Sequence, residues 1–235
     1  EVSITLATGI RDYPGGTLTM TVGSSTSFSV GETLTGGTSA ATASVTSKPS
    51  STTLAITIPS GTFSSGETIS GGTSGASSTL AAAVDLTNVQ STIDILSAVV
   101  TRDSTDFEIE RVSRSSYLNI PNKSQSGRPN QFFLNRQITP VLQIWPAPEN
   151  DTDIVKFNRL TRIDDADAYT NTAEVPFRFY PCLTAGLAYY LSMKRNPQLM
   201  GALKTIYEEE LQRALDEDRD RASLRISPSY ETYRS

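Results

Sequence analysis

Near the C-terminal end of the chain runs a stretch that few folds can house. Pro181-Cys182-Leu183-Thr184-Ala185-Gly186-Leu187-Ala188-Tyr189-Tyr190-Leu191-Ser192 carries no charged residue. Leu183, Leu187, Tyr190 and Leu191 fall at the i, i+4, i+7, i+8 spacing of one helical face. The opposite side is small: Ala185, Gly186, Ala188 and Ser192, which would let another helix come close. A helix starting near Arg178 is predicted, with Pro181 in the first turn, where its missing N–H costs nothing. A helix apolar on all sides must be covered on all sides. The run is shorter than the ~20 apolar residues a bilayer span needs, so no membrane partner is expected. Protein has to cover it, from this chain or from neighbouring copies.

Asn196-Pro197 breaks the chain, and a second helix is predicted from Pro197 to about Ser223. Leu199, Leu203, Ile206, Tyr207, Leu211, Ala214 and Leu215 form one stripe, with Lys204, Glu208, Glu209, Arg213, Asp216 and Asp220 opposite. Glu209–Arg213 and Glu217–Arg221 are i,i+4 pairs, worth about a few tenths of a kcal/mol each. A solvated face is the simplest reading of these charges; lining a channel in a ring is the sharper one. Helix cannot continue past Pro228. An extended end bearing aromatic and basic groups suits docking onto a partner, with disorder as the alternative. Ile226, Tyr230, Tyr233 and Arg234 are the candidate partner-binding residues.

A second constraint lies in residues 16–90, which are dominated by Ser, Thr, Gly, Ala and Val. Phe28-Ser29-Val30-Gly31-Glu32-Thr33-Leu34-Thr35-Gly36-Gly37-Thr38-Ser39 returns 35 residues later as Phe63-Ser64-Ser65-Gly66-Glu67-Thr68-Ile69-Ser70-Gly71-Gly72-Thr73-Ser74. Alternating runs flank each copy, Leu18–Val22 and Leu54–Ile58 before, Ala41–Val45 and Thr79–Val84 after. Such alternation broken by Gly-Gly predicts three short antiparallel strands per repeat. The turn would fall at Gly36-Gly37 or Gly71-Gly72, where positive φ is allowed. Two such units would pack face to face as a small sandwich or barrel. A flexible linker is the competing reading; regularly placed Val, Ile and Phe favour strands. Glu32 and Glu67 read as solvated turn carboxylates, with calcium binding as the alternative.

Outside the repeats, strands are expected at Val2–Leu6, Ile93–Thr101, Phe107–Val112, Gln131–Asn135, Val141–Pro146 and Ile154–Leu160. A short helix is expected after Ser113 as N-cap. The fold class is therefore α+β: an antiparallel sheet covered by two C-terminal helices, plus an inserted all-β domain of two ~35-residue repeats. The boundaries are 1–15 and 91–235 for the first domain and 16–90 for the insertion. The chain starts at Glu1 directly in a strand, so the numbering is expected to begin inside a longer product.

The sequence has no histidine and one cysteine, Cys182. Histidine-based nucleophile activation, a His-ligated zinc and a thiolate cage are thereby excluded. Cys182 reads as a buried thiol. Asp164, Asp165 and Asp167 crowd one segment without the Gly and closing Glu of a calcium loop, so a solvated loop is expected. No catalytic, metal or cofactor site is nominated. The balance of 20 basic against 25 acidic residues, a net charge of −5, argues against gripping nucleic acid.

Several stretches together resemble tailed-phage head-to-tail adaptor proteins of the tail tubular protein A type. They are Ile4–Pro14, Tyr117–Lys123 with Gly127-Arg128-Pro129, Leu142–Pro148, Val175–Arg178 with Leu183–Ala188, and Tyr207–Leu211. The resemblance covers 1–14 and roughly 93–235. It departs from the family in lacking an opening helical pair and in carrying residues 16–90 as an insertion. The resemblance implies a structural virion protein at the head–tail junction. It implies a ring, usually of twelve copies, joining the portal protein to tail nozzle or fibre proteins, with DNA passing through unbound. The helices would make the ring contacts and the C-terminal tail would reach the portal. Two other readings compete. One is a tail-fibre or decoration-type binding module acting through its β repeats. The other is a carboxylate glycosidase, which needs two acids ~5–9.5 Å apart, and no spacing nominates such a pair.

Overall fold

The structure is a computed structural model and describes residues 1–163 and 174–219. The chain divides into two compact units, Glu1–Arg162 and Ile163–Ser235. In the first, β1 (Val2–Thr5) and β2 (Asp12–Pro14) precede the repeat strands β3 (Thr19–Thr21), β4 (Thr33–Gly36), β5 (Thr42–Ser50), β6 (Thr53–Ile56), β7 (Thr68–Gly71) and β8 (Ser77–Thr79). A helical turn, α1 (Thr87–Gln90), leads to β9 (Thr92–Arg102), β10 (Thr105–Glu108) and β11 (Glu110–Arg111). Then come α2 (Arg114–Leu118), β12 (Gln131–Asn135), β13 (Val141–Trp145) and β14 (Ile154–Thr161). Ser113 caps α2 as its sequence predicts, its hydroxyl accepting from Ser116 N at 3.1 Å.

Strands outside the repeats form two four-stranded sheets, ordered β1-β14-β9-β10 and β11-β12-β13-β2. Pairing is antiparallel except that β11 runs parallel to β12. Period-two alternation sends Ala98, Val100, Val155 and Phe157 of one sheet and Phe132, Leu134, Leu142 and Ile144 of the other into one core, and a bulge in β9 brings Ile95 to the same face. The class is α+β, as expected. The described members of this core come from strands and loops between Val2 and Phe157, where the second sheet faces the first. β12 and β13 alternate so regularly that they present a complete apolar face, which needs a facing sheet of its own.

The repeats fold as strands, so the linker alternative falls. Their sheet has the order β3-β6-β5-β4-β7-β8, and a bridge between Val22 and Leu80 closes it into a small barrel. The two copies interleave rather than standing as separate units: β3 pairs with β6, and β4 with β7. In the β4–β7 seam Thr35 faces Ser70, its own counterpart in the other repeat. Gly37 N bonds Thr68 O, and Gly72 N bonds Thr33 O, both at 2.9 Å. These equivalences define a local two-fold axis through the seam. Counterpart side chains, Phe28 with Phe63 and Leu34 with Ile69, fill a core separate from that of the two sheets.

The barrel is joined to the sheets by a tied neck. Thr92 Oγ1 donates to Gly15 O at 2.9 Å, and Arg159 Nη1 donates to Asn88 O at 2.7 Å and Thr92 Oγ1 at 2.8 Å. Asn88 Oδ1 accepts from Thr17 N at 3.0 Å. The register of β14 on β9 shifts between Asn158 and Arg159, where Leu96 of β9 is the extra residue of a bulge.

The second unit is a helical hairpin. A 3-10 turn, Phe177–Phe179, opens α3 (Tyr180–Arg195); a second one, Pro197–Leu199, opens α4 (Met200–Asp218). Between them Asn196 is extended, with φ −153° and ψ 81°, as a residue before proline prefers. Lys194 and Arg195 lie in the last turn of α3, where the helix dipole favours cations.

Candidate functional site

The hairpin is held along one narrow face. Cys182, Gly186 and Ser192 of α3 are buried, as is Ala214 of α4. Tyr207 packs close against Gly186: a Cβ there would stand 3.0 Å from the ring. Tyr189 stacks on Tyr207 with centroids 6.2 Å apart, and Arg178 pairs with Asp218 at the open end. The small side of α3 thus admits α4, as its sequence predicts, and Cys182 is the buried thiol expected.

The other face of α3 is uncovered. Leu183 is 54% exposed, Leu187 61%, Tyr190 61% and Leu191 53%. Tyr180 sits on the same face and Phe177 just before it, both exposed. Three of the seven residues of the predicted second stripe, Leu199, Ile206 and Leu215, are likewise open. An apolar groove of about 560 Å³ runs between the helices, lined by Val175, Phe179, Cys182, Leu183, Leu187 and Tyr207 among others. Scattered surface leucines are ordinary, but a contiguous apolar face this broad marks an interaction surface. No helix among the described residues is long and apolar enough to cross a membrane.

The charged side of α4 is solvated, with pairs of the modest kind expected. Arg213 bonds Glu210 at 2.6 Å, three residues away, in place of the expected Glu209. Lys204 and Glu208 stand 3.5 Å apart. Arg221, the acidic segment Asp164, Asp165 and Asp167, and the tail residues Ile226, Tyr230, Tyr233 and Arg234 lie outside the described residues.

Glu32 and Glu67 are corrected: they are buried, not solvated. Each reaches across the two-fold axis into the other repeat. Glu67 accepts from Thr38 N at 3.2 Å, Ser39 N at 3.0 Å, Thr38 Oγ1 at 3.0 Å and Ser39 Oγ at 2.8 Å, and from its own repeat's Ser64 N at 2.6 Å. Glu32 accepts from Thr73 N at 3.2 Å, Ser74 N at 2.9 Å, Ser74 Oγ at 2.8 Å and its own Ser29 N at 2.6 Å. The glycine pairs serve these cages rather than supplying positive φ. A Cβ on Gly36 would lie 2.6 Å from Glu67 Oε2, and one on Gly71 2.6 Å from Glu32 Oε2. Burial is the largest influence on each carboxyl and pushes it up. The backbone and hydroxyl donors together outweigh it: Glu32 ends below the usual carboxylate range, and Glu67 is brought down to about 2. Every described partner of either carboxylate is a hydrogen-bond donor from the protein, so each cage is filled by its own chain.

No known family's sequence pattern matches this chain, and no curated protein matches it.

Proposed function

We propose that this chain is a structural subunit of a tailed-phage head-to-tail connector. Its copies form a ring, of twelve in the family it resembles, between the portal and the tail nozzle or fibre proteins, and DNA passes through the ring. It acts as a passive conduit at the virion's head–tail junction, not as an enzyme. The observation that carries this reading is the open apolar face of α3. Leu183, Leu187, Tyr190 and Leu191 stay exposed after the hairpin has formed, and neighbouring copies are the cover this reading supplies. The acidic balance, −5, suits a conduit that does not hold its cargo by phosphate neutralisation.

Native mass spectrometry of the purified chain, with and without its portal, tests the reading. Large closed rings are expected, reduced to single chains by the double variant L187E/Y190E, whose helical content stays unchanged. A chain that remains monomeric in both samples overturns it. The self-contained core of the repeat barrel favours a second reading, a fibre or decoration-type binding module. A trimer in the same experiment would select that one.

A further inference from the structure

We propose that the repeat barrel is a proton-operated clasp: protonating Glu32 and Glu67 releases the two Gly-Gly-Thr-Ser turns and opens the β4–β7 seam. The geometry carries this. Each carboxylate precedes one strand of the seam and holds the turn that follows the other strand. Glu32 precedes β4 and grips Thr73 and Ser74 beyond β7; Glu67 precedes β7 and grips Thr38 and Ser39 beyond β4. Both strands thus have a carboxylate clamp at each end, added to their backbone pairing.

The cages are built only for the ionised form. Backbone N–H groups of Ser64, Thr38 and Ser39 point at Glu67, and those of Ser29, Thr73 and Ser74 point at Glu32. A neutral acid must place its own O–H among these donors, and the charge-assisted bonds weaken together. Ser39 Oγ and Ser74 Oγ already accept from Ala41 N and Ala76 N, so losing the carboxylate also loosens those turns. Nothing nearby compensates. Residues 16–90 hold four charged side chains, Glu32, Lys48, Glu67 and Asp85. Lys48 is bound to the carbonyls of Thr26 and Phe28, and Asp85 to Thr87 N. The two sites share one seam, so releasing one turn frees the strand that leads to the other.

A carboxyl lowered in the folded state contributes stability above its unfolded value and loses it as pH falls through the folded one. The window for Glu67 therefore runs from about 4.5 down to about 2. Hydrogen-exchange protection factors of the full chain, followed across that window, test the clasp. Peptides spanning 31–42 and 66–77 are expected to lose protection together, ahead of the β12–β13 hairpin. S39A/S74A removes two hydroxyl donors, and its transition is expected about one pH unit higher. E32Q/E67Q is expected to have an open seam at pH 7, with the hairpin still protected. Simultaneous loss of barrel and hairpin, or an S39A/S74A transition that does not move, overturns the proposal.

Discussion

Asp153 is fully buried and pairs with Arg102. Arg102 meets it with Nε at 2.9 Å and Nη2 at 2.6 Å, and reaches Glu149 with Nη1 at 2.7 Å. The bonds to Asp153 first, then Glu149, hold the Arg102 proton more firmly than in water. A two-residue turn joins Arg102 to β10: Asp103 and Ser104 take φ 49° and 63°, the left-handed pair that matches strand twist. Removing one partner of a buried pair strands the other. R102A is expected to cost about 3–5 kcal/mol in urea unfolding, with R102K recovering part, since lysine lacks the planar fork. A loss below about 1 kcal/mol, the level of a surface pair, would contradict this assignment. At this scale the Ser113 cap was legible in the sequence because its signal is local. The glutamate cages were half legible: the acids recur at matching places, and Gly-Gly-Thr-Ser recurs after them. What the pattern lacked was distance, since a charged residue in a polar run gives no sign that its donors lie in the other copy.

Alternation located the strands of elements such as β12, β13 and β14 within a residue or two. Period two says which side chains share a face, not which strand lies alongside. That is why the second sheet, the parallel β11–β12 contact and the interleaving of the repeats were not readable. The helices show the same division. Gly186 and Ser192 announced a close-packed side, and α4 lies there; the leucine face announced a need for cover, and its side chains stay exposed after the hairpin forms. The neck allows an experiment on elements. Gly15 and Thr92 are hydrogen-bonded at 2.9 Å, so excising residues 16–90 joins chain ends that already adjoin. The shortened chain is expected to unfold in one cooperative transition, because its core includes no residue from the excised segment among those described. Loss of that transition in calorimetry would show that the barrel supports the sheets.

For the molecule as a whole, two cores and an uncovered helical face sit in 235 residues. If copies meet through that face, apolar burial drives the contact. Such association strengthens with warming through the ambient range and resists salt, unlike contacts between charged surfaces. Sedimentation velocity at low and high salt is expected to give the same distribution of species, shifting toward smaller ones on cooling. Dissociation by salt alone would point to the charged side of α4 instead.

The barrel's local axis also ties the two copies to each other. A substitution at Ser39 is felt first by an acid in the other copy, and one at Ser74 by its opposite number, so neither half is free to drift alone. The positions still identical between the copies — Phe, Ser, Gly, Glu, Thr and the Gly-Gly-Thr-Ser run — include the cage residues, while Val30 and Ser65 have parted. The two halves match where each holds the other's carboxylate.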